Sequence, residues 1–153
     1  IKGNHDFWWE KIGLLNSLYE DLYFIQNKAY ILGELAICGT RGWPIQEDMT
    51  AEDRKVYERE KERLKLSLED AIKQGAKEII VALHYPPTNE KDEPSLFTEL
   101  LERYPVRHVV YGHLHDERAW MVSRKGKYGS QCYHLVAADY IDFNPKHILE
   151  IND

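Results

Sequence analysis

Cysteine is scarce in this chain: two in 153 residues, Cys38 and Cys132, far apart and at no zinc-binding spacing. That excludes a disulfide-stapled secreted scaffold and a cysteine-based zinc module, and it reads as buried free thiols in a reducing cytoplasm. Long apolar runs are missing too. The most continuous, 79–83, is far too short to span a bilayer, so no membrane is expected as a partner. Positive charge is in deficit, with 20 Lys and Arg against 26 Asp and Glu and a formal charge of −6. Non-specific binders of nucleic acid or anionic lipid carry the opposite excess, which argues against nucleic acid as a partner. An initiating methionine is absent as well: the chain opens on Ile1, two residues before its most informative tract. The expectation is that an N-terminal part of the domain lies upstream.

What is present is ordinary for a globular chain, 43% hydrophobic and 30% charged, and long enough to bury a core. One domain is expected over 1–153. Trp8, Ile12, Leu15, Tyr19 and Leu22 recur at helical spacing, so residues 8–22 read as an amphipathic helix with Asp6 at its N-cap. Short apolar stretches at 22–25, 29–32 and 35–38, broken by Asn27 and Gly33, read as consecutive strands. Residues 39–44 form a loop by composition. Thr50-Ala51-Glu52-Asp53 is a capping pattern that opens a long, charged helix with one apolar stripe, Tyr57, Leu64, Leu68, Ala71 and Ile72, ended by Gly75. Glu78–Leu83 and Val106–Tyr111 are buried-strand signatures separated by a helix that starts at Pro94. Further strands are expected at 119–123, 131–138 and 147–151, with a hairpin marked by Gly126 and Gly129. Strand–helix–strand units flanked by hairpins indicate an α/β domain with mixed sheets.

Three histidine-bearing tracts carry the chemistry: Gly3-Asn4-His5-Asp6, His84-Tyr85-Pro86-Pro87 and Gly112-His113-Leu114-His115. Each lies where a strand is expected to run into a loop, the place where ligands from separate segments converge. Asn4 offers a neutral oxygen donor. His5 offers an imidazole that can donate a proton, and Asp6 is placed to orient it through a charge-assisted hydrogen bond. His113 and His115, one residue apart, fall on one face of an extended backbone. Taken singly, each feature has a plain structural reading: a capped turn, a satisfied core histidine, a solvated loop pair.

In this order the three tracts resemble the later motifs of the calcineurin-like metallophosphoesterase superfamily, over residues 1 to about 138. The tracts Gly-Asn-His-Asp-Phe-Trp-Trp and Gly-Thr-Arg-Gly-Trp are similar to those of a bacterial branch of phosphohydrolases. The resemblance implies a layered sandwich of mixed β-sheets flanked by helices, and a site of two divalent ions, manganese, iron or zinc. It assigns Asn4, His84 and His113 to one metal, His115 to the other, His5 as catalytic acid and Asp6 as its partner. It also implies phosphoester hydrolysis by a bridging hydroxide that attacks phosphorus. The family's upstream Asp-x-His and Gly-Asp-x-x-Asp segments do not precede Gly3 here, so the chain is expected to be a C-terminal portion, inactive alone and prone to self-association through open sheet edges. An acidic chain is no obstacle, because bound metals supply positive charge locally.

Arg41 and Trp43, in the glycine-rich loop, are candidates for clamping a phosphate and stacking on substrate, beside the plainer reading of a packed surface loop. Asp139 and Asp142 follow a strand and are weaker candidates. His108 and His134 read as structural, and His147 as an exposed residue at a strand start. The rival from a different class is a non-catalytic module, a degenerate metal-binding or partner-docking domain.

Overall fold

The computed structural model describes residues 1–151. Its frame is one six-stranded mixed sheet in the order β1-β2-β3-β4-β6-β5. The strands are β1 (Tyr30–Leu32), β2 (Leu35–Thr40), β3 (Glu78–Leu83), β4 (Val106–Tyr111), β5 (Gly126–Tyr128) and β6 (Gln131–Leu135). β2, β3, β4 and β6 run parallel, while the three-residue strands β1 and β5 pair antiparallel at the two edges.

Four helices complete the described residues: α1 (Ile12–Leu15), α2 (Ala51–Lys73), α3 (Leu96–Leu101) and α4 (Glu117–Val122). α2 begins where the capping pattern places it, with Thr50 accepting from the Asp53 amide, and ends at Gly75, whose φ of +88° suits only glycine comfortably. Its stripe of Tyr57, Leu64, Leu68 and Ala71 packs with Phe97, Leu100 and Leu101 of α3. Both cover the sheet face built from Ala36, Cys38, Ile79, Val81, Leu83, Val109, Tyr111, Tyr133 and Leu135. Ile72, expected on that stripe, is 44% exposed. The opposite face carries Ile37, Ile80, Ala82, His108, Val110, Cys132 and His134, all partly exposed.

Four expected elements differ. The amphipathic helix over 8–22 is a single turn, because Asn16 turns its side chain to the backbone of Phe24, accepting from its N–H at 2.6 Å and donating to its carbonyl at 3.1 Å. Such side-chain bonds compete with the helical ladder, and Gly13 weakens that ladder further. Asp6 is not its N-cap; Lys11 holds that position without a side-chain bond. No strand forms at 22–25, where Phe24 packs against Trp8 and Trp9 instead. The strand expected at 119–123 is α4, started by Asp116, whose carboxylate accepts from the Ala119 amide. The hairpin therefore joins β5 to β6 rather than 119–123 to 131–138. Residues 147–151 form no strand. Both cysteines are free, Cys38 buried and Cys132 half-buried. Among the described residues, no helix is long and apolar enough to cross a membrane.

Candidate metal centre

The four parallel strands release the chain at the same end of the sheet, after Thr40, Leu83, Tyr111 and Leu135. Loops outside the carboxyl ends of parallel strands converge, and His84, His113, His115 and Asp139 all lie in them. Asn4 joins from the N-terminal tract. His84 Nε2 is 2.7 Å from Asn4 Oδ1 and 3.1 Å from His113 Nδ1. No tautomer satisfies both contacts, since Nε2 either donates to the Asn4 oxygen or accepts from the His113 nitrogen. A divalent cation would take a lone pair from all three atoms, so these residues fit a metal.

Protonation favours the same reading. Burial first, and then the neighbouring His113, pushes the His84 imidazole down to about 4. Burial also lowers His113, followed by the charges of His115 and His5. Burial thus favours the neutral form of both rings, the form that ligates. The Tyr85 ring braces them, at 4.9 Å from His84 and 4.3 Å from His113 between centroids.

Local backbone geometry aims these side chains. His113 has φ of +69°, and the Leu114 N–H donates to the Gly112 carbonyl at 2.9 Å, closing a three-residue turn around the histidine. A left-handed, non-glycine residue is strained, and such strain gathers at functional sites. At Gly3, a Cβ would lie 3.2 Å from Asp6 Oδ2 and 3.4 Å from His84 Nδ1, so glycine lets the tract close against the ring.

The other predicted residues divide. His5 is exposed, and its ring meets Phe7 edge-on at 6.1 Å. Asp6 accepts from the Gly3 amide at 2.6 Å, and no hydrogen bond joins it to His5 among the described residues; it closes the turn instead. The His115 ring lies 6.4 Å from His113, and its Nδ1 is 3.1 Å from both carboxylate oxygens of Asp139. The Arg41 guanidinium sits 4.8 Å over Trp43 and 3.7 Å from Glu60, a carboxylate that is 1% exposed and that also accepts from Thr40 and Arg63. Arg41 Nε is buried without a hydrogen-bond partner. Trp43 packs on the core and edge-on to Tyr85. Beside His113 opens a cavity of about 190 Å³, lined in part by Ile45, Tyr85, Asn89, Leu114 and Ser123. Asp142 lies in a turn with a left-handed φ of +50°, and His147 is exposed.

Sequence reasoning undervalued Asp139, whose only signal is its place after a strand at the ligand-bearing end. It also reads His108 and His134 as structural, whereas β4 and β6 bring them together with Cys132. No curated protein and no solved structure matches the chain. The family model for calcineurin-like phosphoesterases matches residues 1–117, a span that holds all three histidine-bearing tracts. With three-quarters of its length matched and its strand ends carrying those tracts, the chain belongs to the calcineurin-like phosphoesterase family.

Proposed function

We propose that this chain carries the Asn4, His84 and His113 side of a two-metal phosphoester hydrolase centre. The observation that carries the reading is the approach of Asn4 Oδ1 and His113 Nδ1 to one nitrogen of His84. In this reading those three residues hold one divalent ion, manganese, iron or zinc, and His115 Nε2 holds a second. Bound ions of this kind lower the pKa of water and offset charge on phosphoryl oxygens.

The chain's own residues do the rest. Asp139 fixes the His115 ring through Nδ1 and so leaves Nε2 free, as carboxylates do for ligating histidines. His5, exposed beside the site, donates its proton to the leaving oxygen of a phosphoester. Asp6 holds the turn that presents His5 and Asn4. Arg41 supplies positive charge near His84, tethered by Glu60, and Trp43 walls the loop.

The second ion is short of donors. Among the described residues, the one group of three or more His, Cys, Asp or Glu side chains that converges is elsewhere on the sheet. This centre of the chain therefore binds one ion well and turns substrate over poorly. Titration of the purified chain with Mn²⁺ by calorimetry is expected to show one site, lost in His84→Ala and His113→Ala. With p-nitrophenyl phosphate or its bis ester, turnover is expected at background. Absence of Mn²⁺ binding sinks the metal assignment, and metal-dependent turnover abolished by His113→Ala sinks the inactivity.

A further inference from the structure

A second convergence of ligating side chains lies on the other face of the sheet, away from the strand ends. His108 on β4 and Cys132 on β6 are neighbours in the parallel register. His134 is two residues further along β6 and so returns to the same face. His108 Nδ1 is 3.0 Å from His134 Nε2, with ring centroids 5.2 Å apart. The two imidazole nitrogens and the Cys132 sulfur all lie within 4.8 Å of one another, and all three residues are half-buried. From His108 the strand runs three residues further, about 10 Å, to Tyr111 before the turn that holds His113, which sets the two clusters apart along the sheet.

We propose that His108, Cys132 and His134 form a zinc site. Tetrahedral zinc with Zn–N near 2.0 Å and Zn–S near 2.3 Å needs ligand atoms about 3.3–3.6 Å apart, a small rotamer adjustment from the present spacing. Two imidazoles and one thiolate are a borderline-soft donor set that suits zinc over magnesium or calcium. Binding releases the thiol proton and leaves one positive charge on the filled site. Three protein ligands leave the fourth position to water on the half-open face. Strand pairing fixes the three Cα positions before any ion arrives, so little order is lost on binding. The competing arrangement is a histidine pair that shares one hydrogen bond across strands beside an inert thiol.

Cobalt separates the two. Co²⁺ titrated into the reduced, metal-free 153-residue chain is expected to give a saturable thiolate-to-metal charge-transfer band that is displaced by Zn²⁺. The band should vanish in Cys132→Ser, and its affinity should fall about tenfold or more in His108→Gln. It should persist in Cys38→Ser and in His113→Ala, which makes it independent of the proposed phosphoesterase centre. No band, or one that survives Cys132→Ser or requires His113, overturns the proposal. Should Cys132→Ser fail to fold by circular dichroism, alkylation of Cys132 in the unmutated chain decides. Protection by Zn²⁺ of about tenfold or more supports the site, and an unchanged rate overturns it.

Discussion

At the scale of single residues, His113 bears two demands at once. Its ring must reach His84, and its backbone must sit at φ +69° to send it there. A left-handed conformation costs an L-residue with a Cβ about 1–2 kcal/mol, while glycine escapes that strain and loses only about 0.5–1 kcal/mol of extra chain entropy. His113→Gly is therefore expected to be more stable than His113→Ala by about 1 kcal/mol in urea denaturation. That reverses the usual order of the two residues within regular structure. Neither variant should gain stability from Mn²⁺. If the alanine variant is the more stable, the turn at His113 is not strained. The same residue shows how far the candidate site was legible in sequence: histidines at strand ends suggest ligands, but the turn that aims His113, or the carboxylate beside His115, emerges only when strands lie side by side.

Among the elements, α2 does more than cover the core. Ser67 donates to the Lys28 carbonyl at 2.7 Å and accepts from the Gly39 amide, so one hydroxyl ties the helix to both the approach to β1 and the body of β2. Asp70, one turn on, accepts from the Ala29 amide and the Lys28 ammonium, each at 3.0 Å. Burial raises the Asp70 carboxyl, but the Ala29 and Lys28 bonds outweigh it, and the net displacement is downward. A carboxyl depressed in the folded state stabilises above its unfolded pKa, about 3.9, and that contribution is lost as pH falls through the folded value. Asp70→Asn is thus expected to lower stability near neutrality by about 1–2 kcal/mol, with the difference closing in acid, below the ordinary carboxylate range. A difference that persists undiminished in acid would mean Asp70 acts through packing alone. The core of this layer was readable because β3, β4 and α2 each carry one unambiguous period. Residues 8–25 were not, since an apolar spacing at 3.6 predicts a helix only where a surface exists to bury it. Leu14, Leu18, Tyr19 and Leu22 have none and stay exposed. At α4, Asp116 caps a helix where the β-like run over 119–123 reads as a strand.

For the whole molecule, the asymmetry of the sheet matters most. Helices α2 and α3 bury one face, while Ile37, Ile80, Ala82 and Val110 on the other remain partly exposed. The two edge strands, β1 and β5, are three residues each, and β5 is exposed throughout. Pairing through edges so short is weak, because a three-residue ladder contributes few hydrogen bonds. The half-open face, together with Trp8, Leu18 and Leu22, is the apolar surface available for association of this chain with itself. A net charge of −6 opposes that association, and salt screens the repulsion while leaving apolar burial intact. Sedimentation velocity is therefore expected to show a weight-average coefficient that rises with protein concentration and rises further with added salt. Ile37→Lys, checked for fold by circular dichroism, should return the chain to a monomer by setting an ammonium in the middle of the contact. A monomer at every concentration and salt level would show that water alone covers this face, and an Ile37→Lys variant that associates as before would move the contact to the exposed tryptophan and leucines near the N-terminus.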